Sequence, residues 1–403
     1  MLRIPYTGDN FSRMANAPAE LLRSAPNRKL ILAGQIAFFP TGILTTLLGP
    51  MLPLLIPRWT MNDTQAGNLF LVQFLASLVG VQISGVLLAR WGYRPAFLSG
   101  LLLMASGLAT LYLGSPWLGL VSVAAYGLGL GLIIPTDNLL IAEISTGSGL
   151  YSRASAVSLL NFFWGLGAVF CSLMVAWTSA HKLLPFFLGA VALFLVLLAL
   201  AMRNLPFPEA ALPSESSASW SKMARSPAIW LFAAVFFLYP GAETAVGGWI
   251  GSYVSRMGSR GMSIASMMPA FFWSALTVGR ALATAFLRHF PENLVLRMGY
   301  AAAAAGIGLM LWAPSLTGVI AGALITGLSF STLYPITVAR LSQHFGVAAR
   351  SIGAVMFSLA SVGPAVIPWM VGVISHSTGS LRAGLLLPLG ATVILFLIHL
   401  VEW

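Results

Sequence analysis

Charge is what this chain has least of. Only 8% of its 403 residues are Asp, Glu, Lys or Arg, against 58% hydrophobic, where a soluble domain carries roughly 25% charged residues. A water-facing surface cannot be built from that supply, so a soluble fold is excluded and the chain belongs in a lipid bilayer. Cysteine is nearly absent: the single Cys171 cannot close an internal disulfide and says nothing about compartment. The five histidines, His181, His289, His344, His376 and His399, never fall at metal-ligand spacing, so no metal site is expected. No nucleophile–base arrangement is present, and no enzyme is expected. No cofactor is expected either. The glycines of GLGLGL at 127–132 are not a nucleotide loop, since no strand precedes them and no Lys-Ser/Thr follows. In a membrane helix they instead let backbones approach. Residues 1–29 lack the apolar core of a signal peptide and read as a cytoplasmic tail.

What is present is apolar length. A membrane-crossing helix needs roughly 20 mostly apolar residues. Twelve such runs are predicted, at about 30–57, 65–89, 95–114, 117–143, 152–178, 183–203, 227–255, 265–287, 293–313, 315–340, 348–374 and 382–402. Pro53, Pro135, Pro335 and Pro364 fall inside spans, where membrane helices tolerate them if neighbours satisfy the freed backbone groups. The net charge of +11 comes from Lys and Arg scattered singly in short loops, which argues against nucleic-acid binding. With the N-terminus inside, fifteen of the 21 basic residues are cytoplasmic, five lie in outer loops and Arg280 falls within a span. That bias places both termini in the cytoplasm and suits a multi-pass protein of a bacterial-type inner membrane, expected as a monomer.

The chain is also internally repeated. Gly42 and Thr45 lie over Gly241 and Thr244, and Gly80 over Gly279, at an offset of 199; Gly127 and Pro135 lie over Gly327 and Pro335 at 200. Ala156, Val157 and Gly165 lie over Ala354, Val355 and Gly363 at 198. Such matches in corresponding spans indicate a six-plus-six duplication. The Pro- and Ser-rich segment 204–226 reads as a cytoplasmic linker between a bundle at 30–203 and a second at 227–403. The fold class is therefore all-α and integral to the membrane, with twelve transmembrane helices in two pseudo-symmetric six-helix bundles. Parallel halves of this kind are the architecture of major facilitator transporters, which rock around a site near the bilayer midplane.

The loop after the second span reads Gly85-Val86-Leu87-Leu88-Ala89-Arg90-Trp91-Gly92-Tyr93-Arg94, and it resembles the major facilitator pattern of Gly, three residues, Asp-Arg, one residue, Gly, then basic residues. Arg90, Gly92 and Arg94 match, while Ala89 stands where the family usually has the Asp that helps lock the cytoplasmic side. Glu143 and Arg153 resemble the family's other charged cytoplasmic pair. The resemblance thus implies an inner gate of Arg90, Arg94, Glu143 and Arg153, which Arg350 is expected to join. Thr64-Gln65-Ala66-Gly67, GLGLGLIIPTDN at 127–138, Asn161-Phe162-Phe163-Trp164-Gly165-Leu166-Gly167 and Glu243-Thr244-Ala245-Val246-Gly247-Gly248-Trp249 are similar to the fucose:proton symporter branch and its sodium-linked glucose relatives. That branch implies uptake. The symporter uses acids in its first and fourth spans, whereas the first span here, GQIAFFPTGILTTLLGP, has none.

Ionisable groups inside spans cost a few kcal/mol at least, so each needs a reason. Glu243 falls near the middle of the seventh span, Arg280 slightly cytoplasmic of the middle of the eighth, and Asp137 about two turns from the middle of the fourth, by a rise of about 1.5 Å per residue. These three are the candidates for ion coupling. A carboxylate shielded from water takes a proton more readily, so Glu243 is a candidate to load the ion or hold a substrate hydroxyl; a static pair with Arg280 stapling two helices is the alternative. Asp137 is equally open to reading as a helix-end residue wetted by an inner vestibule. Tyr239, Glu243 and Gly247 share one helix face, where glycine leaves room for a ligand or a close helix. Sugars are held by amides, carboxylates and a stacked ring. Asn161 with Trp164, Gln73, Trp273 and Phe39 are therefore candidate substrate contacts together with Glu243, although aromatics at helical spacing equally fill packing gaps. The function expected is secondary active transport of a sugar or similar small polar solute, coupled to a proton or sodium gradient. The alternative is a proton-driven exporter of lipophilic or amphipathic compounds.

Overall fold

The computed structural model describes residues 25–144, 153–208, 226–258, 261–287, 289–345 and 349–401, and the regular elements among them are all helices. Most of the expected tail and linker lies outside the described residues. In chain order the helices are α1 Ala25–Thr46, α2 Leu48–Arg58, α3 Asp63–Trp91, α4 Tyr93–Thr110, α5 Pro116–Ile144, α6 Arg153–Ala180, α7 Leu184–Met202, α8 Pro227–Ser255, α9 Met262–Leu287, α10 Glu292–Trp312, α11 Leu316–Phe330, α12 Leu333–Phe345, α13 Ala349–Thr378 and α14 Leu381–Leu400. Eleven segments are long and apolar enough to cross a membrane, with α11 and α12 together forming one of them. The eighteen-residue α4 is the expected span that is not among the eleven.

Local chemistry sets the boundaries. Asn62 opens α3 with a reciprocal capping box: its side chain accepts from the Gln65 amide while the Gln65 side chain accepts from the Asn62 N–H. Gly92, at φ 76°, separates α3 from α4, a left-handed backbone conformation open to glycine at little cost. Hydroxyls inside helices are turned back on their own backbones; Thr41, Thr45 and Thr46 donate to the carbonyls of Ala37, Thr41 and Gly42. Outward faces are apolar. Leu193, Leu197 and Leu200 on α7 are more than half exposed, as is Val278 on α9, and so large an apolar exterior matches lipid rather than water.

Equivalent helices in the two halves of the chain pair in equivalent ways: α1 with α6 as α8 with α13, α3 with α5 as α9 with α11, α4 with α5 as α10 with α11. Backbone closeness repeats at the same places. A Cβ on Gly127 would stand 2.4 Å from the Gln73 carbonyl oxygen, and one on Gly327 would stand 2.2 Å from that of Phe272. Only glycine permits either approach, which is why both positions of the sequence repeat hold it.

The halves meet through α3 with α13, α6 with α9, and α2 with α8 and α9. At the end that carries Asp63 the seam is tight. Asp63 accepts from Arg256 of α8's C-cap and, at 2.5 Å, from Ser375 of α13; the Trp369 indole donates to Asn68 at 3.0 Å. A Cβ on Gly49 would lie 2.6 Å from the Gly247 carbonyl oxygen. Away from this closed end the halves enclose a cavity.

Candidate functional site in the cavity between the halves

The cavity has a volume of about 840 Å³ and takes residues from α1, α2, α3, α5, α6, α8, α9, α12 and α13. Helical periodicity aims its polar wall. On α9, Trp273, Thr277 and Arg280 recur at i, i+4 and i+7 on one face; on α6, Asn161 and Trp164 share a face; on α8, Tyr239 and Glu243 are one turn apart. All seven line the cavity, joined by Thr45, Thr244, Asn138 and Tyr334.

Glu243 is the centre of this wall. The Tyr239 hydroxyl is hydrogen-bonded to Glu243 Oε2 and also lies 3.0 Å from the carbonyl oxygen of Phe330. A phenol has one proton to give. With Glu243 ionised, that proton faces two acceptors and satisfies one. With a proton on Glu243, the carboxylic acid donates to the Tyr239 oxygen and Tyr239 donates onward to Phe330, so every group is satisfied. The pocket around Tyr239 is built to hold it still, with the ring edge-on to Phe330 at 5.3 Å and stacked on Tyr334 at 6.2 Å.

Arg280 approaches Glu243 loosely, Nη2 to Oε1 at 3.9 Å. Its guanidinium carbon sits 5.4 Å from the centre of the Trp164 ring, within the range of a cation–π contact. Trp164 in turn meets Trp273 across the seam between the halves, edge to face at 5.6 Å, and its indole N–H points to Thr45 Oγ1 at 3.4 Å. Gly247 makes room for this arrangement. A Cβ there would stand 2.6 Å from the Trp273 ring, so the space that glycine leaves beside Glu243 is taken by an indole.

Of the residues singled out in the sequence, Asn161, Trp164, Glu243, Trp273 and Arg280 are brought together on the cavity wall. Three are not. Gln73 is buried in the first half, its amide donating to the Thr45 carbonyl at 3.0 Å and accepting from Tyr126 at 3.0 Å. Phe39 turns the other way, 5.4 Å from Phe170, in a separate apolar groove between α6 and α9; Phe38 lines the cavity instead. Asp137 is fully buried off the cavity, where a Cβ on Gly34 would stand 2.5 Å from its Oδ1, and its neighbour Asn138 faces the cavity. Neither Asp137 oxygen has a hydrogen-bond partner among the described residues.

At the opposite end from Asp63, Arg90 is exposed in the last turn of α3. Arg94 donates to the Leu205 carbonyl at 2.9 Å, and Glu143 accepts from Tyr93 at 2.5 Å. The side chains of Arg153 and Arg350 lie outside the described residues. Asp63 with Arg256 is the polar pair that sequence reasoning missed; the capping sequence Asn62-Asp63-Thr64-Gln65 was its visible half, and the partner 193 residues away had no local signal.

Comparison with known proteins fixes the family. The profile of the Major Facilitator Superfamily matches residues 36–368. The chain belongs to the major facilitator superfamily. It is thus a multi-pass membrane transporter and not an enzyme. It is 24% identical over 402 residues to Bypass of stop codon protein 6 of Saccharomyces cerevisiae, covering 87% of this chain and 77% of that protein. It is 25% identical over 368 residues to a glucose/galactose transporter of Brucella abortus, covering 85% of this chain and 87% of that one. The E. coli fucose:proton symporter FucP, solved as a point variant, shares the fold at a TM-score of 0.62 and 19% identity, over 93% of this chain and 98% of that chain.

Proposed function

We propose that this transporter is a proton-coupled importer of a sugar-like polar solute, working by alternating access between two six-helix bundles of twelve spans. In this reading α1 with α2, and α11 with α12, each form one broken span, and α4 completes the set. Both termini lie in the cytoplasm of an inner-membrane protein, as the distribution of Lys and Arg suggests. The Asp63 end is then periplasmic and sealed, and the cavity belongs to an inward-facing state. The sugar class is supported by the kinship with carriers named for glucose, galactose and fucose and by amides, hydroxyls and aromatic faces on one wall. That kinship does not favour the export alternative.

The observation that carries the coupling is the position of Tyr239 between Glu243 and the Phe330 carbonyl. A proton on Glu243 completes that chain of hydrogen bonds, and its loss leaves an acceptor unsatisfied beside the buried Tyr239, which costs about 1–3 kcal/mol. Glu243 is therefore the residue that loads and releases the coupling proton, with Arg280 biasing its charge.

Glu243→Gln tests the proposal in proteoliposomes. The carboxamide keeps a donor toward Tyr239 and cannot release it, a permanent copy of the loaded form. Accumulation driven by a pH gradient is expected to vanish while counterflow exchange of solute persists. Gradient-driven accumulation at the wild-type level would remove Glu243 from the coupling role.

A further inference from the structure

We infer that the solute is an acidic one, a monocarboxylate bearing several hydroxyls of the sugar-acid class, and that its carboxylate docks on Arg280. This deepens the proposed function and rests on Glu243 being the proton carrier.

Arg280 is the cation among the described cavity-lining residues, and it is under-used. Its contact with Glu243, 3.9 Å from Nη2 to Oε1, is too long for a hydrogen bond. None of its five N–H donors makes a hydrogen bond to another described residue. The Trp164 face at 5.4 Å holds the guanidinium without using those donors, and about a quarter of the side chain remains exposed to the cavity. A rigid fork of donors presented from an aromatic face is the geometry in which arginine takes a carboxylate bidentately, in a way a neutral hydroxyl cannot match. Around it the wall offers Asn161, Asn138, Thr277 and Thr244 for hydroxyls.

Charge balance gives the same answer. Among the described cavity-lining residues the charged side chains are Glu243 and Arg280, with Tyr239 and Tyr334 the other titratable groups facing them. When Glu243 takes a proton, Arg280, three-quarters shielded from solvent, is left as an uncompensated charge, a costly condition. A solute carboxylate cancels it. When solute and proton leave, Glu243 is ionised and stands as the internal counter-charge of Arg280, so the empty carrier is also neutral as it reorients. One proton and one anion then cross together, and no net charge moves. A neutral sugar carried with one proton would move one positive charge per cycle.

The full-length wild-type protein in proteoliposomes decides between these. Uptake of labelled gluconate and glucuronate is compared with that of glucose, galactose, fucose and glucose 6-phosphate. A pH gradient is imposed with the membrane potential clamped by potassium and valinomycin at zero or at a negative value inside. We expect the sugar acids to accumulate under the pH gradient equally at both potentials, and neutral sugars to compete at least tenfold more weakly. Arg280→Gln is expected to weaken sugar-acid binding at least tenfold, while Arg280→Lys keeps part of it; both are read in detergent on protein eluting as a single species. Accumulation of a neutral sugar that responds to the potential and ignores sugar acids overturns this inference and leaves the proposed function standing. Preference for glucose 6-phosphate replaces the carboxylate with a phosphate and overturns the assignment of class. Sugar-acid affinity within twofold of wild type in Arg280→Gln removes Arg280 as the docking group. Failure of every sugar and sugar acid to accumulate removes both readings.

Discussion

Arg256 closes a two-pronged ion pair on Asp63 across the two halves of the chain, Nη1 at 2.9 Å from one carboxylate oxygen and Nη2 at 2.5 Å from the other. Asp63 is the first residue of α3, where the helix N-terminus favours a negative charge. Its Oδ2 also accepts from Ser375 of α13. One carboxylate thus ties the starts and ends of three helices at the closed end of the cavity. Arg256 remains more than a third exposed, so solvent screening keeps the pair to about 1–2 kcal/mol.

That magnitude predicts a shift of conformation rather than a loss of fold. Asp63→Asn should raise the population open at the Asp63 end roughly tenfold, since about 1.4 kcal/mol is a factor of ten. Distances between spin labels placed on either side of that seam should lengthen in a larger fraction of molecules. Exchanging the charges, Asp63→Arg with Arg256→Asp, should bring the distribution part of the way back. An unchanged distribution in Asp63→Asn would mean that backbone packing, such as Gly49 on Gly247, closes this end by itself.

Trp164 joins three interactions: the edge contact with Trp273 and the cation–π contact with Arg280, which cross between the halves, and the hydrogen bond toward Thr45 within the first half. An aromatic pair contributes about 0.5–1.5 kcal/mol beyond burial and a cation–π contact roughly the same or more. Trp164→Ala should therefore weaken solute binding by about tenfold to a hundredfold, measured by calorimetry. Trp164→Phe keeps a face for Arg280 and should recover most of the loss. Wild-type affinity in the alanine variant would make Trp164 a packing residue.

The helices were legible because the bilayer imposes one pattern, and both the apolar runs, eleven of which recur as segments long and apolar enough to cross a membrane, and the repeat at an offset of about 200 residues are long-range averages that tolerate local error. The cavity wall was legible where it carried costly groups. Glu243 and Arg280 stood out because charge in a span demands a reason, and Asn161 with Trp164 because amide and ring share a helix face. What failed was the angle around the helix. Asp137 and Asn138 are neighbours about 100° apart, and sequence spacing does not say which of them faces the cavity; the neighbour packed on α5 decides, and that is Gly34 of α1. The same holds for Phe38 and Phe39. Gln73 looked like a substrate amide, yet Tyr126 and the Thr45 carbonyl use it up inside the first half. A polar residue buried among helices has the same sequence signature whether its partner is protein or solute.

Asp137 is the position at which binding and coupling can be tested apart. Its carboxyl is fully buried behind the cavity wall and lacks a hydrogen-bond partner among the described residues, and Gly34 leaves it no room for a bulkier neighbour. A charge in that position is expensive, so a carboxamide of the same shape should be tolerated with an unchanged or higher melting temperature. Because the side chain does not line the cavity, Asp137→Asn should bind solute with an affinity within about twofold of wild type, a difference below roughly 0.5 kcal/mol. We propose that Asp137 still takes part in coupling by modulating the charge of Glu243, which alone carries the proton, so accumulation driven by a pH gradient should fall in this variant while exchange continues. Full accumulation together with unchanged binding would assign the whole of the coupling to Glu243. A large loss of affinity would instead mean that α5 turns Asp137 into the cavity in another state of the cycle, which cysteine accessibility at Asn138 and Ile134 in the variant would reveal.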